Sequence, residues 1–168
     1  DGSPPDGKRI LVHFEQGIGD SFQFVRYLAK LKQLGATVFF EGQKPIGPIL
    51  ERTPGLDRFI RSGGDARPEF DLHVPLLSLP GIFKTTLDDV PCTVPYVFAK
   101  PDLQEMWRDR LSRPTETIRI AIGWQGNPEY RGDRQRSIPL KHFRWLADIE
   151  HVELISIQRG FGTAQVAE

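Results

Sequence analysis

The chain has little sulfur and no charge bias, and it contains no long apolar run. Cys92 is its one cysteine. That excludes an internal disulfide framework and a cysteine-rich zinc site, and it suits a reducing compartment. Lys plus Arg and Asp plus Glu number 22 each, so the net charge is zero. A balanced chain is not a nucleic-acid coat or a general binder of anionic membranes, although a local cationic site remains open. No apolar stretch approaches the ~18 residues of a membrane span, and the N-terminus has no signal-peptide pattern. The expected location is cytoplasmic. No short-period repeat or low-complexity tract is present. What is there is ordinary globular material: 39% hydrophobic and 26% charged over 168 residues. That is enough for one domain and a fraction of another. The opening Asp-Gly-Ser-Pro-Pro-Asp-Gly reads as a linker, and the end lacks an obvious stop. A piece of a longer protein is expected.

Residues 9–14 form a short β-branched apolar run that Glu15-Gln16-Gly17-Ile18-Gly19 breaks. From Asp20 to Leu34, apolar residues recur at Phe22, Val25, Leu28, Leu31 and Leu34, which predicts a helix. Asp20 or Ser21 is the expected N-cap and Gly35 the C-terminal glycine. Ala36–Glu41 reads as a second strand, giving a βαβ unit with parallel strands. A short helix is expected over 46–52, strands over 57–61 and 70–74, and a helix over 102–111. Residues 75–95 hold four prolines and read as a long irregular loop. The pattern then restarts. Ile118–Trp124 reads as a strand buried on both faces. A glycine-bearing polar loop follows over 125–137, then a helix from Pro139 to Asp148 and a strand over 152–157. The expected organisation is a linker at 1–7, a Rossmann-like domain over 8–100, a connection over 101–116, and the start of a second domain over 117–168.

Two turns could carry chemistry. Ligands of open α/β sheets bind at the carboxyl ends of the strands, where Glu15–Asp20 falls. Gly17 and Gly19 fit the first glycines of a dinucleotide fingerprint, but Phe22 occupies the third position. Asp20 would compete with a phosphate for the helix amides. It could instead take a proton from a substrate hydroxyl, or merely cap the helix. Glu15 could simply be solvated. In the second turn, residues 127–144 carry five cations, among them Arg131, Arg134 and Arg136, against Glu129 and Asp133. Arginine forks match phosphate oxygens and glycines allow close approach, so the loop is either a diphosphate site or a solvated loop whose arginines pair with those two acids. His13, His73, His142 and His151 lack metal-ligand spacing, and no Asp-x-Asp pair is present. His13 and His73 read as packed or hydrogen-bonded, Cys92 as a buried structural thiol, and Trp107, Trp124 and Trp145 as core residues.

Several segments resemble one family in the same order. They are Asp1-Gly2, Lys-Arg-Ile-Leu-Val-His-Phe-Glu-Gln-Gly-Ile-Gly-Asp-Ser-Phe-Gln-Phe-Val-Arg-Tyr at 8–27, Phe-Asp-Leu-His-Val-Pro-Leu-Leu-Ser-Leu-Pro at 70–80 and Pro95-Tyr96. Ile-Gly-Trp-Gln-Gly-Asn-Pro at 122–128, Asp133-Arg134 and Arg-Ser-Ile-Pro-Leu at 136–140 complete the set. Together they resemble the glycosyltransferase-like region that follows tetratricopeptide repeats in bacterial proteins. The Gly19-Asp20 turn is similar, more distantly, to that of lipopolysaccharide heptosyltransferases. The Gly-Asn-Pro loop is similar to that of O-linked N-acetylglucosaminyltransferases. The resemblance implies an α/β GT-B fold of two Rossmann-like domains, the N-terminal one on the acceptor side and the C-terminal one holding a nucleotide-sugar donor.

On that resemblance Asp20 becomes a candidate general base. Glu15, Gln16, Gly17, Gly19 and Gln23 become candidates on the acceptor side. Gly126, Asn127, Arg131, Arg134, Arg136 and Ser137 become candidates for the donor diphosphate. No metal and no cofactor are implied beyond the nucleotide-sugar substrate, and the acceptor is a glycan or a protein. The second domain stops early against the family pattern. This piece is therefore expected to be inactive alone, with a tendency to form a homodimer or to swap. A non-catalytic binding or scaffold module of a repeat protein is the alternative, and a GT-B nucleotide-sugar epimerase a more distant one.

Overall fold

A computed structural model describes residues 4–112 and 116–167. Parts of the expected linker (1–3) and connection (113–115), and residue 168, lie outside the described residues. Two compact units divide between Trp107 and Arg108.

In the first unit, β1 (Arg9–His13), β2 (Thr37–Gly42), β3 (Arg58–Arg61) and β4 (Leu72–Pro75) form a parallel sheet in the order β3-β2-β1-β4. The pleat sorts the strands. Ile10, Val12, Val38 and Phe40 point to one side and are buried with Val25, Leu28, Leu31, Leu50, Leu76 and Leu79 in a single cluster. That face is the core.

The expected single helix over 20–34 is three pieces: α1 (Ile18–Phe24), a 3₁₀ turn at Val25–Tyr27, and α2 (Leu28–Gln33). The apolar spacing explains the break. It is strictly three residues, and on a helix of 3.6 residues per turn such a row drifts around the surface. A turn of three residues removes part of the drift. Val25, Leu28 and Leu31 are accordingly all buried, and Leu34, at the end of the row, is exposed. Gly35 ends α2 in the left-handed region (φ 85°), as its position predicts.

Other boundaries differ modestly. A 3₁₀ turn at Lys44–Ile46 leads into α3 (Gly47–Leu50), and α5 spans Pro101–Arg110. Residues 75–95 are not wholly irregular. Pro75 sets up a 3₁₀ turn at Leu76–Ser78 that runs into α4 (Leu79–Ile82), and Leu76 and Leu79 are fully buried. Cys92 is exposed rather than buried.

Arg9 fastens the start of β1 to the residue before β4. Its backbone N–H donates to Asp71 Oδ2 at 2.8 Å, and its guanidinium reaches both Asp71 oxygens at 3.2 and 3.0 Å. These bonds, with Arg9's charge, hold the Asp71 carboxyl down at about 2. A depressed carboxylate contributes stability above its unfolded pKa of about 4, and that contribution is lost as pH falls toward the folded value. Urea midpoints should therefore drop between about pH 4 and pH 2, and less steeply in Asp71→Asn. Equal slopes in the two proteins would show that the staple is energetically silent.

The second unit contains β5 (Ile118–Ile122) and β6 (Val152–Ser156), paired in parallel, with a 3₁₀ turn at Leu140–Phe143 and α6 (Arg144–Ala147) between them. Pro139 immediately precedes the 3₁₀ turn as its cap. β5 is not buried on both faces. Only Ile122 of its five residues is buried, and Ile118 is 62% exposed. A two-stranded sheet with one short helical segment has too little cover for that. Trp124 is buried as expected, but Trp107 and Trp145 are exposed.

Candidate functional site

The turn after β1 is held from three directions. Gly17 is the N-cap of α1, which places Asp20 at the third helical position instead of the cap. Asp20 Oδ2 accepts the Gly17 N–H at 3.0 Å. This is the half of a capping box in which the acidic side chain reaches back; glycine has no side chain to return the bond. A carboxylate in the first turn also meets the positive end of the helix. Ser21, likewise expected as a possible cap, is buried, and its hydroxyl donates to Gln43 Oε1 at 2.9 Å. Gln43 Nε2 in turn donates to the Gln16 carbonyl at 3.0 Å. Glu15 is not merely solvated: its Oε2 accepts the Leu77 N–H at 3.2 Å, at the first turn of the 3₁₀ segment after β4.

The structure therefore brings Glu15, Gln16, Gly17, Gly19 and Asp20 onto one hydrogen-bonded turn, with Gln23 exposed on α1 behind it. Gly19 is exposed, and a methyl group there would meet no atom within 4 Å. Neither backbone angle nor packing in this chain calls for glycine at that position.

In the second unit the loop after β5 is folded around Asp133, which is 6% exposed. Asp133 Oδ2 accepts the Ser137 hydroxyl at 2.8 Å, and Oδ1 accepts Arg136 Nε at 3.2 Å. Ser137 Oγ also accepts the Gly126 N–H at 3.0 Å. A Cβ at Gly126 would collide with the Asp133 carboxylate and with the Arg136 guanidinium, 2.7 Å from Nη2. Glycine is thus needed there for the loop's own packing. Arg136 lies over the Tyr130 ring, 4.8 Å from its centroid. Asn127 makes a local turn by accepting the Glu129 N–H.

The predicted diphosphate residues separate into two groups. Gly126, Asn127, Arg136 and Ser137 make contacts that hold the loop. Arg131 and Arg134 are exposed and, among the described residues, make no hydrogen bond or ion pair.

Gln158, which sequence reasoning missed, fixes the base of this loop. Its Oε1 accepts the N–H groups of Trp124 and Gln125 at 2.8 and 3.0 Å, and its Nε2 donates to the carbonyls of Gln125 and Phe161. No short-range pattern joins residues 33 positions apart, so no sequence signal existed for it. Beside the loop lies a cavity of about 680 Å³, walled by Trp124, Leu140, Phe143 and Leu154 and edged by Lys141 and Arg144. Among the described residues, no group of three or more His, Cys, Asp or Glu could hold a metal ion. No described helix is long and apolar enough to cross a membrane.

No protein-family profile and no curated protein sequence matches the chain. A solved structure does: the crystal structure of the glycosyl transferase family 9 from Veillonella parvula DSM 2008. It superposes with a TM-score of 0.61 at 12% identity, over 98% of this chain and 72% of that one. At that identity the likeness establishes architecture alone. The chain is a mixed α/β protein with a four-stranded parallel sheet, and its fold is similar to that of a glycosyltransferase family 9 structure, Rossmann-like and of the GT-B kind.

Proposed function

We infer that this chain belongs to a cytoplasmic enzyme that moves a sugar from a nucleotide-sugar to an acceptor hydroxyl with inversion. The observation that carries the reading is the turn at Glu15–Asp20. It ends the first strand of the sheet, is clamped by Gln43 and Glu15, and presents a carboxylate beside a glycine that packing does not require. Preorganised geometry of this sort is what proton transfer needs. Asp20 takes the proton of the acceptor hydroxyl. The acceptor oxygen then bonds to the anomeric carbon as the bond from that carbon to the diphosphate oxygen breaks, and the nucleoside diphosphate leaves.

Gln16 and Gln23 position the acceptor. Arg131 and Arg134, uncommitted within the loop, supply charge to the departing diphosphate, while Arg136, Asn127, Gly126 and Ser137 keep that loop in shape. Arginine charge can serve where a metal would otherwise be used. The apolar cavity edged by Lys141 and Arg144 suits the remainder of the donor. The exposed apolar side chains of the second unit, Ile118, Trp145 and Ile157 among them, offer a second copy a surface for pairing.

A scaffold reading has one observation in its favour: Asp20 already has a structural task at Gly17. Sugar transfer by the intact protein, tested with a panel of nucleotide-sugars, separates the two. Acceptor-dependent release of nucleoside diphosphate supports the enzyme; its absence across the panel favours the scaffold.

A further inference from the structure

Only one face of the first unit's sheet belongs to the core cluster. Register places three polar side chains together on the other. His13 is opposite Glu41, and Leu11 is opposite His73, so all four side chains project to the side away from Ile10 and Val12. There they line a cavity of about 370 Å³ on that face of the sheet, with Phe14 and Phe70 as further walls. Its size is at the lower end of the usual range for small-molecule sites.

One polar group of this cavity, Glu41, is buried, and the others are half-buried or exposed. Glu41 is 6% exposed. Arg67 clamps its carboxylate, Nε to Oε2 at 2.9 Å and Nη2 to Oε1 at 3.1 Å. The pair cancels its own charge, so the cavity offers no fixed excess for a phosphate or a carboxylate. It does offer capacity for hydrogen bonds. Among the described residues, Arg67 Nη1, the Ser62 hydroxyl and both imidazoles have no hydrogen-bond partner, and each Glu41 oxygen retains a lone pair. The His13 and His73 rings are 5.8 Å apart, and Phe70 stands edge-on to His73 at 6.2 Å. Donors and acceptors are thus mixed around a space with aromatic walls. A neutral ring that bears hydroxyls at its edge and C–H groups on its face matches that combination.

From this we propose that the cavity seats a neutral sugar ring of the acceptor, which makes the acceptor a carbohydrate rather than a protein side chain. The assignment rests on reading the first unit as the acceptor side. Continuity favours it: Phe14, a wall of the cavity, is followed directly by the turn that carries Asp20.

The test is imidazole-detected NMR of the intact protein titrated with methyl glycosides of hexoses and N-acetylhexosamines. Saturable shifts of the His13 and His73 signals are expected, with His142 and His151 unmoved. His73→Ala and Phe70→Ala change exposed residues and should retain the fold while weakening binding about tenfold or more. No saturable shift with any glycoside, equal binding by both variants, or a response to Zn²⁺ alone would overturn the assignment. Asp20→Asn separates it from the transfer reading. Glycoside binding together with transfer that ignores Asp20 refutes the base and leaves the cavity standing. Transfer that needs Asp20, without glycoside binding, refutes the cavity alone.

Discussion

Replacing Asp20 with asparagine in the intact protein should lower kcat by about 10²- to 10⁴-fold, the usual worth of a general base. Donor KM should stay within about twofold, because the change removes an interaction made only in the transition state. The substitution is informative because of what it leaves alone. Asparagine retains an oxygen that can accept the Gly17 N–H, now made to Asp20 Oδ2 at 3.0 Å, so the start of α1 keeps its bond. What disappears is basicity. A thermal midpoint unchanged beside a collapsed kcat assigns Asp20 to the chemistry. An unchanged kcat leaves it as a helix residue and favours the scaffold. Alanine would be the poorer choice, since it removes the bond and the base together.

The second large effect lies in the other unit. Asp133→Ala should destabilise it by about 2–3 kcal/mol, the range for hydrogen bonds to a buried charge, with the Arg136 share discounted because that side chain is more than half exposed. The carboxylate holds the Ser137 hydroxyl, which in turn holds the Gly126 amide. Without it the loop that presents Arg131 and Arg134 loses its centre, so donor KM should rise as well. Ser137→Ala cuts only the arm to Gly126 and should cost about 1 kcal/mol. Denaturant unfolding followed by near-ultraviolet circular dichroism, where buried Trp124 contributes, reads both. An Asp133→Ala cost indistinguishable from zero would mean that the loop is held by other contacts, Gln158 first among them.

The strands were legible because β-branched runs bounded by glycine and proline leave few alternatives, and every expected strand is present to within two or three residues at its ends. Gly35 was legible for a similar reason: a glycine just past an apolar-periodic run has a standard use. The helix after β1 was only half legible. A strict spacing of three resembles one helical face, whereas geometry favours a tightened turn. Burial of β5 was overestimated because an apolar run reports what a strand could bury, not what is available to cover it.

At the site, residue types were legible and their partners were not. Asp20 was visible as a helix-start acid, but its position in the first turn depends on Gly17, three residues earlier, being the cap. Glu15 to Leu77 and Glu41 to Arg67 join residues far apart in the chain, and nothing local encodes them. Arginine count marked the loop over 125–137 as cationic. Only the fold separates Arg136, spent on Asp133 and Tyr130, from Arg131 and Arg134.

The most direct measurement follows sugar transfer by the intact protein from an α-linked nucleotide-sugar to a glycan acceptor, with the anomeric configuration of the new bond read by NMR. A single carboxylate acting as base on the acceptor hydroxyl, with no covalent sugar intermediate, predicts a β-linked product that fails to form in Asp20→Asn. An α-linked product, or the same rate in the variant, would contradict the account.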